Sequence, residues 1–219
     1  GAELSFEEVP TMQQRIAEVA MIEGKVSICA TEMLESMRTS HRPTRAEVAD
    51  VAGAVRQGFG AVMLSAETAT GYDPINAVTA MARICEANES HDGHKSFADA
   101  HPTESAVGAA TAALAQRTGA ASIIALTYSG YSSEILSACR PGAQIIAATP
   151  SQETARRLRL YWGVTPLICQ RNIDMTVAVD DAFNAALDAG LVQFNELVVV
   201  CASRENIRSA ADTIWVHNA

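Results

Sequence analysis

Short apolar runs alternate with longer amphipathic stretches along most of the chain, the pattern of parallel strands joined by crossover helices. The class it predicts is α/β. A helix is expected over 11–23, stopped at Gly24, where a glycine takes the left-handed conformation easily. The run KVSICA (25–30) reads as a strand. TRAEVADVAGAVRQ then opens on Thr44 with Glu47 three residues on, a capping box, and the helix ends at Gly58. AVMLS (61–65) reads as a second strand, followed by a cap at Asp73, Pro74 at the first helical position and a helix to about residue 89.

Residues 90–102, SHDGHKSFADAHP, are polar and aperiodic and read as a linker, so a domain boundary is expected there. Beyond it a helix over 103–118 leads into the strands ASIIALT, AQIIAAT and GVTPLIC, with helices starting near Ser132 and Ser151. A helix over 174–189 and the strands ELVVVCA and DTIWVH complete the chain. The second unit is thus expected to be a three-layer α/β/α sandwich with a mostly parallel sheet of about five strands.

Length and charge narrow the function classes. At 219 residues the chain holds one large domain or two modest ones, and 48% hydrophobic with 19% charged residues is the composition of a folded protein. Twenty-five acidic against 16 basic residues give −9, with no basic run, which argues against nucleic acid and anionic membrane as partners. No stretch approaches the roughly 18 apolar residues of a membrane helix, and the acidic start GAELSFEEVP is unlike a secretion signal, so the expected compartment is the cytoplasm. Five cysteines without a C-x-x-C pair read as buried free thiols.

Candidate chemistry is local. GFGAVM leads into a strand, whereas a dinucleotide fingerprint follows one, so it is set aside. The histidines 91, 94 and 101 share the linker and read as solvated chain rather than as metal ligands. Thr31, Ser65 and Glu67 stand just past the carboxyl ends of the first two strands, where α/β sheets and barrels hold their chemistry; helix capping is the competing role for Thr31. In LTYSGYSSE, the hydroxyls of Thr127, Ser129, Ser132 and Ser133 surround Gly130 between a strand end and a helix start. Such a turn offers backbone N–H groups, hydroxyls and a helix dipole to a phosphate; an unliganded polar turn is the alternative.

The runs ICATEMLESM, RPTRAEVADV and VMLSAETATGYDP, followed by AVGAATAAL, LTYSGYSS, RPGAQIIAAT and ETARRLRLYWGV, closely resemble pyruvate kinase. The resemblance implies that residues 1–89 correspond to the last part of a (β/α)8 catalytic barrel, with 25–30 and 61–65 as its seventh and eighth strands. It implies that 103–219 is a C-terminal regulatory and assembly domain. Two strands cannot close a barrel, so the chain is expected to be the C-terminal portion of a longer enzyme and inactive alone. That enzyme transfers the phosphoryl group of phosphoenolpyruvate to ADP with Mg2+ and K+, in the last step of glycolysis, usually as a homotetramer.

By the same resemblance the phosphoryl-handling lysine and the acidic metal ligands lie outside this chain, whose two lysines, Lys25 and Lys95, sit at a strand start and in the linker. The resemblance places Thr31 beside the substrate, where it orients a water or relays a proton to the enolate, and makes Ser65 and Glu67 part of the same catalytic group. Ala66 stands where the family has glycine, and Glu32 where it has glutamine. Thr127, Tyr128, Ser129, Gly130, Tyr131 and Ser132 match the family's cradle for the phosphate of a sugar-phosphate effector. Tyr128 occupies a position often held by lysine, and Arg204 and Arg208 are candidates to supply the missing charge. The competing class is a non-catalytic sugar-phosphate-binding or assembly module.

Overall fold

The computed structural model describes residues 5–30, 32–89, 102–170, 172, 174–203 and 211–218. The chain divides into two compact units, 1–90 and 91–219.

In the first unit, α1 (Val9–Ile22) leads to β1 (Ile28–Cys29), a 3-10 turn (Glu35–Arg38), α2 (Arg45–Arg56), β2 (Ala61–Val62), the single turn α3 (Ala66–Ala69) and α4 (Pro74–Asn88). The caps are those the residue types dictate. Thr44 and Glu47 form a reciprocal capping box on α2. Asp73 accepts from the Asn76 amide at 3.0 Å with Pro74 as the first residue of α4. Gly24 and Gly58 follow α1 and α2 with φ of 63° and 87°, the left-handed stop expected of both.

β1 and β2 run parallel, pairing Ile28 with Ala61 and Cys29 with Val62. Both are shorter than the strands expected over 25–30 and 61–65, since among the described residues each has the other as its one sheet neighbour. Only a brief ladder forms, continued by the Gly60 and Met63 amides donating to the Ser27 and Cys29 carbonyls. The core lies to one side, where Leu34, Met37, Val51, Ala54, Ala77 and Ala17 are buried among the helices. Ile28 and Met63, by contrast, are 51% and 39% exposed.

The second unit begins with α5 (Pro102–Thr118) and continues β3 (Ser122–Leu126), α6 (Tyr131–Ala138), β4 (Gln144–Thr149), α7 (Gln152–Leu158), β5 (Val164–Ile168), α8 (Met175–Asp188), β6 (Leu197–Ala202) and β7 (Thr213–Asn218). The strand order is β5-β4-β3-β6-β7. β3 to β6 are mutually parallel, and β7 lies antiparallel on the outer edge against β6. This is the three-layer α/β sandwich with five strands that the sequence predicts.

Period-two alternation divides the core. Ile124, Leu126, Ile146 and Val200 point to the face covered by Ala178, Ala182 and Phe183 of α8. Ile123, Ala125, Ile145 and Cys201 point to the opposite face, covered by Ala115 of α5 and Leu136 of α6. Gly108 permits the close approach of α5 to α6: a Cβ there would stand 2.5 Å from Ile135 Cγ2. Of the five thiols only Cys201 is fully buried; the other four are half-buried, because helix and strand margins, not core centres, carry them. Burial pushes the thiol pKa values of Cys139, Cys169 and Cys201 up to about 11.

Candidate functional site

Because β1 and β2 are parallel, the loops at their carboxyl ends emerge side by side, and one carboxylate joins them. Glu67, on α3, is only 1% exposed. Its Oε1 accepts from the Leu34 amide at 3.1 Å, and its Oε2 accepts from the Ser65 amide at 2.8 Å. Burial raises its pKa, but the backbone amides of Glu67, Ser65 and Leu34 outweigh that and hold the carboxyl below its usual value. A buried anion is tolerated here because N–H dipoles replace water.

Ser65 is exposed at the cap position of α3, with its carbonyl accepting from the Thr68 and Ala69 amides. Thr31 lies outside the described residues. Its neighbour Glu32 is exposed and left-handed, with φ of 55°, a conformation that costs a non-glycine residue about 1 kcal/mol. The loop beyond it is held by Glu67, through the Leu34 amide, and by a second carboxylate.

That second group is Glu47, the capping-box residue of α2. Its Oε1 accepts from the Ser36 amide at 2.7 Å, and its Oε2 from Ser36 Oγ at 2.6 Å and from the Thr44 amide at 2.7 Å. Burial raises its pKa, and these bonds from Ser36 and Thr44 lower it further than burial raises it. The capping box is legible in the sequence; the reach to Ser36 is not, since nothing local marks that pairing.

In the second unit the turn after β3 sits at a topological switch point. From β3 the chain moves to β4 on one side, while β6 lies on the other, the position at which open α/β sheets generally bind ligands. Thr127 is buried, its amide donates to the Ala148 carbonyl at 3.0 Å, and its Oγ1 accepts from the Gly130 amide at 2.9 Å. Ser129 Oγ accepts from the Tyr131 amide at 3.4 Å. Gly130, with φ of 93°, makes the sharp entry into α6. Tyr128 and Ser129 are exposed, Tyr131 is half-buried, and Ser132 and Ser133 are buried.

α7 packs against this turn. Thr154 Oγ1 donates to the Tyr128 carbonyl at 2.9 Å, Arg157 Nη2 donates to the Ser129 carbonyl, and the same nitrogen meets Glu134 Oε1 at 3.0 Å. Burial raises the Tyr161 pKa, and the adjacent Glu134 raises it further. Arg204, Arg208 and the residues of the linker up to 101 lie outside the described residues.

Among the described residues, no group of three or more His, Cys, Asp or Glu side chains is gathered as a metal site, and no helix is long and apolar enough to cross a membrane. Each oxygen of Glu67 accepts one backbone amide.

Comparison with known proteins matches this geometry. The family model "Pyruvate kinase, barrel domain" matches residues 1–78, and "Pyruvate kinase, alpha/beta domain" matches residues 105–217. A pyruvate kinase of Agrobacterium vitis is 41% identical over 206 residues, covering 91% of this chain and 44% of that protein. One of Methylorubrum extorquens is 45% identical over 204 residues, covering 90% of this chain and 42% of that protein. The crystal structure of a pyruvate kinase from Cryptosporidium parvum superposes with a TM-score of 0.84 at 27% identity, covering 100% of this chain and 45% of that one. The chain thus spans less than half the length of these relatives. Two family models that together match both units place this chain in the pyruvate kinase family.

Proposed function

We propose that this chain supplies the end of the catalytic barrel and the C-terminal domain of a pyruvate kinase, an enzyme that moves the phosphoryl group of phosphoenolpyruvate to ADP. The observation that carries this reading is the pair of parallel strands β1 and β2, whose carboxyl-end loops are tied by Glu67 and whose other edges have no strand partner among the described residues. The exposed Ile28 and Met63 are the side chains that further barrel strands cover. Thr31 serves the proton delivery to the enolate, and Ser65 belongs to the same catalytic group. Glu67 fixes the two loops relative to each other, so its share in catalysis is exercised through their geometry.

The lysine and acidic metal ligands of phosphoryl transfer are contributed by sequence outside these 219 residues, as are the sites of Mg2+ and K+. Residues 1–89 are the barrel portion, 90–102 the linker and 103–219 the regulatory and assembly domain of a cytoplasmic homotetramer. The turn Thr127, Tyr128, Ser129, Gly130, Tyr131, Ser132 takes the phosphate of a sugar-phosphate effector. Its support is the switch-point position and the hydroxyls gathered at the amino end of α6.

The test is phosphoenolpyruvate-dependent pyruvate formation by a polypeptide in which this chain is joined to the rest of the barrel. Thr31→Ala is expected to lower kcat at least tenfold while leaving KM within about threefold, since general acid–base effects are worth about 10²–10⁴. Unchanged kcat in that variant would remove Thr31 from the mechanism, and absence of turnover in the joined polypeptide would remove the kinase reading.

A further inference from the structure

The turn after β3 is gripped from one side by a neighbouring helix. Thr154 and Arg157 lie three residues apart on α7 and so share a face. Between them they take two consecutive carbonyls of the turn, those of Tyr128 and Ser129. Arg157 also meets Glu134 on α6, with the arginine side chain 53% and the glutamate 16% exposed. Position 130 has to be bare for this to happen: a Cβ there would lie 2.8 Å from Arg157 Nη2.

On its other side the turn is satisfied by its own hydroxyls. The amides of Gly130 and Tyr131, the donors an anion at this turn takes, are engaged by Thr127 Oγ1 and Ser129 Oγ. The nearby cation is engaged by Glu134. In the described state, then, each of these donors and the guanidinium has an internal partner.

We propose that Arg157 is a latch on the 127–131 turn: paired with Glu134 and holding the Ser129 carbonyl it keeps the turn closed on itself, and a phosphate group at the turn competes with Glu134 for its guanidinium. This rests on the reading of the turn as a phosphate site. The guanidinium end of this pair is exposed to water, which screens the attraction and leaves Arg157 free to turn to another anion. A phosphate monoester carries more charge than a carboxylate and accepts the planar guanidinium fork bidentately. Once Arg157 turns to the phosphate, the Ser129 carbonyl loses its donor and the turn re-forms, which couples ligand capture to a change in the first residues of α6. Glu134 acts in this device as an internal competitor, so the chain's own acid sets how much effector is needed.

The experiment uses the 219-residue chain and its variants Arg157→Ala, Arg157→Lys and Glu134→Gln. Amide hydrogen exchange of residues 129–132 is read first, and inorganic phosphate binding by titration calorimetry second. Arg157→Ala is expected to speed exchange in the turn about tenfold, with Arg157→Lys between it and the parent. Glu134→Gln is expected to tighten phosphate binding about threefold, and Arg157→Ala to weaken it at least as much. Parent-like exchange in Arg157→Ala overturns the latch. Equal phosphate affinity in the parent, Glu134→Gln and Arg157→Ala overturns the competition while leaving the phosphate site standing. Faster exchange in Arg157→Ala with no phosphate binding to any protein upholds the grip on the turn and removes the phosphate reading.

Discussion

Replacing Glu67 by glutamine tests the tie between the two strand-end loops. The carboxylate is 1% exposed and accepts one backbone amide on each oxygen, from Leu34 at 3.1 Å and from Ser65 at 2.8 Å. Glutamine keeps the shape but turns one acceptor into an NH2 donor that faces an N–H donor. One charge-assisted bond worth about 1.5 to 3 kcal/mol is lost, and one buried amide is left without an acceptor. Against this, the neutral side chain avoids the desolvation of a charge, so the net loss is set at about 2 kcal/mol. Because the folded carboxyl titrates below its unfolded value of about 4.3, its contribution is complete above that pH. It fades as the pH falls through the lower, folded value. The assay is urea unfolding of the chain, following the transition of the first unit, with amide exchange at Leu34 and Ser65 as the local probe. Glu67→Gln should unfold earlier at pH 7, exchange faster at both amides, and approach the parent as the pH is lowered through the folded carboxyl's own titration. An unfolding curve indistinguishable from the parent at pH 7, or a difference that does not shrink as the pH is lowered, would contradict this role for Glu67.

Other substitutions probe the rest of the framework. Thr44→Ala removes the cap of α2 and should cost about 1 kcal/mol in the same transition, measured by thermal or urea unfolding. Gly130→Ala forces a side chain onto a backbone with φ of 93° and into Arg157 and Leu158, and should lower the stability of the second unit by about 1 to 3 kcal/mol. Gly108→Ala gains up to about 1 kcal/mol of helix propensity yet meets Ile135 at 2.5 Å; net destabilisation in a melting experiment is expected, because the α5–α6 approach decides the sign.

What the sequence disclosed and what it withheld follow from range. Caps were legible because the partners sit three residues apart: Thr44 with Glu47, Asp73 with Asn76, Ser151 with Thr154. The sheet of the second unit was legible because its central strands are apolar on both faces, as SIIAL is. The lengths of β1 and β2 were not, since an apolar run records a capacity for burial while ladder length depends on neighbours. The 3-10 turn Glu35–Arg38 and the single turn α3 are too short to show a period. The contacts that build the candidate sites, Glu67 to Leu34 over 33 residues and Arg157 to Ser129 over 28, exist only once distant elements pack. Positions of candidate side chains were therefore readable and their partners were not.

The central claim is that these residues form part of a pyruvate kinase whose phosphoryl-transfer groups come from sequence outside them. It is tested most directly by assaying the purified 219-residue chain, of verified mass, for pyruvate formation from phosphoenolpyruvate and ADP with Mg2+ and K+ present, beside the polypeptide that carries the whole barrel. Turnover is expected in the second sample and none in the first. Sustained turnover by the 219-residue chain alone would contradict it.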